Sequence, residues 1–134
     1  MKKMIYTKER GVLILDKGET KRFKWVIINR GTHPTAYIGI PKTHPYYNKP
    51  YDTIDIRCHG GLTFAEKDFN FNPIDVKNIW WVGWDYSHGD DYAGYFDENK
   101  QIGKGRKWTT DEIRKEVMNV IKQLSIQNIV VKEL

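Results

Sequence analysis

Short apolar runs, cut by polar, glycine-rich and proline-rich breaks, fill most of the chain, and one longer run with helical spacing closes it. Residues 11–16, Gly-Val-Leu-Ile-Leu-Asp, lie between Gly11 and Lys17-Gly18 and predict a strand followed by a turn. Residues 22–29 begin with period-two alternation and predict the next strand. Tyr37 to Ile40 predicts a third, ended by Pro41. Residues 53–58, Thr-Ile-Asp-Ile-Arg-Cys, alternate cleanly and read as a half-buried strand. Residues 79–84, Ile-Trp-Trp-Val-Gly-Trp, read as a strongly apolar strand, expected to pair with it. Pro41, Pro45 and Pro50 make residues 41–51 a loop, and the segments 70–78 and 97–107 read as connections. Thr109 and Glu112 have the spacing of a capping box, in which each residue satisfies an N–H of the other at a helix start. Ile113, Val117, Val120, Ile121 and Leu124 follow as one apolar stripe, so a helix is expected from about Asp111 to Leu124. Ile129 to Val131 reads as a short final strand. The fold class is therefore α+β: a mostly antiparallel sheet with one C-terminal helix, which reads as scaffold without functional residues.

The chain has 134 residues, 40% of them hydrophobic and 29% charged, and residues 1–134 read as a single domain. No apolar run reaches the roughly 18 residues of a membrane span, so no membrane partner is expected. No signal peptide is expected either. A single cysteine, Cys58, excludes an internal disulfide and a cysteine-based zinc cluster and points to a reducing cytoplasm. The net charge of +5 is uneven: residues 1–50 carry 11 Lys/Arg against 3 Asp/Glu, whereas residues 51–100 carry 4 against 10. The aromatic residues concentrate between Tyr46 and Phe96, in the acidic part, where a nucleic-acid binder would interleave them with cations. No stable nucleic-acid partner is expected.

Two loops hold chemistry-bearing residues. In His59-Gly60-Gly61-Leu62-Thr63, the glycines allow a sharp turn whose exposed N–H groups can cradle a phosphate. His59 and Thr63 would add a donor or proton and a hydroxyl, and Arg57 a charge. In Asp85-x-x-His88-x-x-Asp91, with Asp90 adjacent, an acid and an imidazole can point at one centre. With His59 these groups would supply ligands for a divalent metal, or an acid/base set in which Asp85 orients His88. Trp80, Val82 and Trp84 share one side of their strand and Trp81 the other. One side is core; the other offers an indole for stacking a base. Tyr46, Tyr47 and His44 in the proline-rich loop are further contact candidates; His33, also before a proline, reads as a loop residue. Cys58 and His59 are adjacent on an expected strand and face opposite ways, so Cys58 reads as a small buried residue rather than a nucleophile.

Three segments, Tyr37 to Tyr46, Asp55 to Thr63 with its His-Gly-Gly-Leu-Thr, and Trp80 to Asp91 with its Trp-Trp-x-Gly-x-Asp-x-x-His-x-x-Asp, resemble a family of small phage and prophage proteins. The matching polar positions are His44, His59, Gly60, Gly61, Thr63, Asp85, His88 and Asp91; the chain departs from the family pattern at Gly89-Asp90. By analogy with phage inhibitors of host defence, the resemblance implies capture of a nucleotide immune signal in the host cytoplasm. The expected ligand is thus a small phosphate-bearing nucleotide, held by His59, Gly60, Gly61 and Thr63 and flanked by Trp84 with Tyr46 or Tyr47. Asp85 and His88 would bind its polar edges, in a pocket completed by a homo-oligomer. A phosphodiesterase or other hydrolase using His59, His88 and Asp85 is the second expectation. A protein-interaction module is the third.

Overall fold

The computed structural model describes residues 5–7, 12–29, 33–67, 78–86 and 107–133. Six strands, β1 (Ile5–Thr7), β2 (Val12–Thr20), β3 (Phe23–Asn29), β4 (Pro34–Ile40), β5 (Phe64–Lys67) and β6 (Trp80–Asp85), form one sheet ordered β1-β2-β3-β4-β6-β5. Every adjacent pair is antiparallel. One helix, α1 (Thr110–Glu133), follows, and the α+β class is as the hydrophobic pattern predicts. No helix among the described residues is long and apolar enough to cross a membrane.

The sheet is buried on both faces. On the α1 side, Trp25, Ile27, Ala36, Ile38, Ile40, Val82 and Trp84 pack against Ile113, Val117, Val120, Ile121 and Leu124. That is the apolar stripe read from the sequence. On the other side, Ile14, Val26, Ile28, Tyr37, Ile79 and Trp81 form a second cluster. Trp81 and Trp84 are both fully buried, so Trp84 cannot stack a base; on the same face Trp80 is half-buried. Removing such side chains from water is the main favourable term, about 1.5–3 kcal/mol for each large apolar group.

Several local expectations are corrected. Lys17-Gly18 is strand, not turn; β2 and β3 are joined by Lys21-Arg22, between the paired Thr20 and Phe23. Both turn residues hold positive φ, 50° and 73°, the conformation of a tight hairpin turn whose usual signal is Asn-Gly. Gly18 lies directly opposite Trp25, and a Cβ on it would meet the indole at 2.7 Å. Gly39 opposite Trp81 and Gly83 opposite Tyr37 repeat the arrangement. These glycines make room for rings lying across the neighbouring strand, so they sit within strands instead of breaking them.

Residues 53–58 are not a strand. Thr53 ends a short 3-10 turn (Tyr51–Thr53), and Ile54 to Cys58 have no regular structure, although Ile54 and Ile56 are buried and Asp55 and Arg57 exposed. β6 pairs instead with β4 and β5, and the pattern of residues 59–64 did not reveal β5. Residues 59–63 lead into β5 and Asp85 ends β6; with Phe64 opposite Gly83, the start of β5 and the end of β6 lie at one end of this antiparallel pair, although 53–58 is not a strand. Ile129 to Val131 belong to α1, which runs nine residues beyond Leu124.

Candidate functional site

The stretch after Ile56 docks on α1 through polar side chains rather than through a strand. The Gln123 amide accepts from Arg57 N–H and donates to Arg57 C=O, both at 2.8 Å. One side chain thus supplies both bonds that a neighbouring strand would have made. Two residues on, His59 N–H donates to Glu116 Oε1 at 2.8 Å. The chain then reverses: Gly61 N–H donates to Cys58 C=O at 2.9 Å, with Gly60 at φ 68° and Gly61 at φ 80°. Positive φ at Gly60, third in this turn, is what a type II turn requires of glycine. Thr63 N–H closes the loop onto Gly83 C=O at 2.9 Å.

These bonds alter the reading of the loop. The N–H groups of His59, Gly61 and Thr63 are all used inside the chain, so they do not form an open phosphate cradle. The turn instead aims the His59 ring. Its plane stacks on Tyr86, with centroids 4.6 Å apart and planes 9° from parallel. Trp108 meets His59 edge-on at 4.9 Å and Tyr86 at 5.3 Å. Tyr86 is fully buried, its hydroxyl accepting from Trp84 Nε1 at 3.1 Å and its N–H donating to Pro34 C=O at 3.0 Å.

Trp108 is fixed by the start of α1. Glu112 N–H donates to Thr109 Oγ1 at 3.1 Å, and Thr109 N–H donates to Glu112 Oε1 at 3.0 Å, which completes the expected capping box. Trp108 precedes the cap and Ile113 lies four residues after it, the positions of a hydrophobic staple. Both belong to the same apolar cluster. Glu112, Lys115 and Glu116, at helical spacings of three and four, share one face of α1. Together with His59, Tyr86 and Trp108 they line a cleft of about 260 Å³. Its walls are aromatic and its rim carries two carboxylates and one ammonium.

α1, read from the sequence as scaffold, thus contributes Glu112, Lys115 and Glu116 to the lining of this cleft. Tyr86, Trp108, Glu112, Lys115 and Glu116 were not among the expected site residues. Trp108 had a legible signal, an aromatic residue immediately before a capping box. Tyr86 sits inside the Asp85-to-Asp91 motif as a spacer, and nothing in its spacing singled it out.

The other expected residues do not gather here. His44 is buried, its ring beside Phe23 and Tyr46. Its Nδ1 accepts from Tyr46 N–H at 3.0 Å, which leaves Nε2 to donate to Leu124 C=O at 2.8 Å. Both nitrogens are taken, and His44 ties the proline-rich loop to α1 instead of meeting a ligand. Tyr46 accepts from Asp55 N–H at 3.3 Å. Tyr47 packs near Trp80, its hydroxyl buried and without a hydrogen-bond partner. Arg57 lines a separate cavity of about 220 Å³ with Asp55, Gln123, Ile126 and Gln127. Thr63 Oγ1 reaches Asp85 Oδ2 only at 3.4 Å.

His88, Asp90 and Asp91 lie outside the described residues. Among the described residues, no three His, Cys, Asp or Glu side chains are grouped to hold a metal ion. The Cys58 thiol is pushed up to about 12 by burial and by the nearby Glu116 charge, so it stays protonated and unreactive at neutral pH. No protein-family model, curated protein or solved structure matches this chain.

Proposed function

We propose that the protein binds a small phosphate-bearing nucleotide in the cleft between His59, Tyr86, Trp108 and the first turns of α1. The observation that carries this reading is the ring cluster: half-buried His59 and Trp108, backed by Tyr86, at an open cleft. An aromatic platform stacks a nucleobase for about 1–3 kcal/mol and tolerates any base. Lys115 is the cation lining the cleft and takes the phosphate, because the amides of His59, Gly61 and Thr63 are already engaged. The two carboxylates orient the ligand, keeping the anionic end outward at Lys115 and the base inward.

Sequestration asks only for affinity, and the resemblance to phage proteins makes a host immune signal the natural ligand. Hydrolysis would need a second acid/base group beside His59. The expected one, His88, lies outside the described residues.

The test is thermal unfolding with mononucleotides and cyclic dinucleotides, followed by chromatography of the recovered ligand. A binder at a hundredfold excess over its dissociation constant stabilises the fold by about 2.7 kcal/mol. Such a rise with intact ligand recovered is expected, together with loss of binding in Trp108→Ala. Recovery of cleaved product would make the protein a hydrolase. A panel without any stabilising member, or a Trp108→Ala variant that binds as well as the unmodified chain, would overturn the reading.

A further inference from the structure

We infer that the end of the sheet opposite the cleft binds the phosphate backbone of a single-stranded nucleic acid. The topology gathers cations there. β2 ends and β3 begins at this end, joined by Lys21-Arg22; β4 ends here at Ile40, β6 begins here at Trp80, and β5 ends here at Lys67. Lys42 lies two residues past Ile40, and Lys49 is brought alongside because its C=O accepts from Trp80 Nε1 at 2.9 Å. Lys21, Arg22, Lys42, Lys49 and Lys67 are all exposed, and among the described residues none of these side chains is in a salt bridge. The exposed acids at this end, Glu19, Asp52 and Glu66, are fewer, and Glu19 is already paired with Lys24 at 2.7 Å. The cleft lies at the other end, where the 59–63 turn enters β5 and Tyr86 follows β6.

The hairpin tip carries a second observation. Lys21 and Arg22 hold φ of 50° and 73°, a conformation that residues with a Cβ adopt at a cost and that Asn-Gly usually fills. Local preference does not account for two cations in these places; contact with an anion does. Along the chain, cations and aromatic residues separate, which argues against a nucleic-acid partner, but the fold brings them together. Tyr51, two residues past Lys49, is 47% exposed. An open ring among cations suits a single strand, whose unpaired bases stack while its phosphates pair with the charges. From β2 to β5 the row crosses four strand spacings, about 19 Å. A stacked strand carries one charge about every 3.4 Å, so the row matches about five phosphates.

Fluorescence anisotropy of a labelled oligo(dT) of about twelve nucleotides, a length within the site sizes of such surfaces, tests this with the full chain. Binding at low salt is expected, with a log–log salt slope of about −3.5 for five phosphate contacts, about a hundredfold loss between 50 and 200 mM. Lys21→Asn combined with Arg22→Gly gives the turn the residues it prefers, so the fold is retained, and it should flatten the slope by about 1.4. Tyr51→Ala should weaken binding about fivefold or more. No binding at low salt, or a slope unchanged in the double variant, would overturn the inference. Tighter binding of a duplex of the same length, indifferent to Tyr51→Ala, would overturn the single-strand assignment. Binding to phosphatidylserine vesicles without binding to the oligonucleotide would make the partner a membrane surface instead. Loss of oligonucleotide binding in Trp108→Ala would put the strand in the cleft and overturn the inference too. Mononucleotides do not enter this test, so it and the proposed function fail separately.

Discussion

His44 shows how far a residue's role depends on what folds around it. In the sequence it stands in an aromatic, proline-rich loop beside a plausible ligand site. In the fold its two nitrogens have opposite tasks, Nδ1 accepting from Tyr46 N–H and Nε2 donating to Leu124 C=O. That fixes the neutral tautomer. Burial holds its pKa below the ordinary 6.5, only partly offset by the hydrogen bond to Leu124. The sign follows from linkage: the unfolded chain takes up the proton first as pH falls, so the stability from neutral His44 is complete above 6.5 and is lost progressively below it. The midpoint of urea unfolding should therefore be lower at pH 5 than at pH 7, and His44→Gln should make the midpoint less dependent on pH across that window. An unchanged pH dependence in His44→Gln would remove His44 as its source. His59, by contrast, was recognisable from the sequence because two glycines follow it. What those glycines do was not: they shape the turn that aims the ring, while the amides of His59, Gly61 and Thr63 close on the protein itself.

Among the elements, the helix start was the most legible, since a capping box is a local device whose two partners lie three residues apart. The strands were legible where alternation and β-branched residues agreed, as in β3. β2 was cut short at Gly18, read as part of a turn, whereas Gly39 and Gly83 fell inside strands that the pattern did predict. Gly18, Gly39 and Gly83 each face an aromatic ring or its neighbour across the sheet, and no local rule connects a glycine with a ring on another strand. This pairing makes a prediction. A Cβ on Gly83 would lie 2.6 Å from the Tyr37 ring and 2.9 Å from the Ala36 carbonyl, and the latter belongs to backbone that cannot swing aside. Gly83→Ala should therefore destabilise by about 1–3 kcal/mol, as overpacking in a filled core does. Chemical denaturation checks this, and a neutral result would mean that the sheet opens at little cost. The stretch 54–58 gives the opposite lesson. Its alternation correctly marked Ile54 and Ile56 as buried, but the partner of its backbone is a glutamine side chain on α1.

At the scale of the whole molecule, β2, β3, β4 and β6 lie inside the sheet, with β1 and β5 at its edges. Val26, Ile27, Ile28, Ile38, Val82 and Trp84 have no exposed surface, and each interior strand is paired on both sides. Amide exchange should thus be slowest in 26–28, 36–40 and 81–84, with one common opening free energy, while β5 exchanges through smaller openings. Equal protection of β5 and β4 would show that the edge is covered as firmly as the centre. α1 is fastened to the rest by polar ties as well as by its apolar stripe. Arg114 pairs with Asp16, just past the irregularity in β2 between Ile14 and Asp16, and His44, Arg57 and His59 bond to Leu124, Gln123 and Glu116. Those ties hold the cleft's two walls, turn and helix, in one frame.

By itself the sequence determined what local chemistry can determine: the α+β class, the apolar stripe and cap of α1, the interior strands, and His59 as a residue carried on a glycine turn. Periodicity and capping act between residues a few positions apart, so one chain suffices to read them. Only the tertiary structure decided which strands pair with β6, that Trp81 and Trp84 are both buried, and that His59 meets Tyr86, Trp108 and Glu116. Those contacts join positions 27 to 57 residues apart in the chain. Their energy comes from burying rings and satisfying backbone groups among segments that touch only after the sheet and helix have packed.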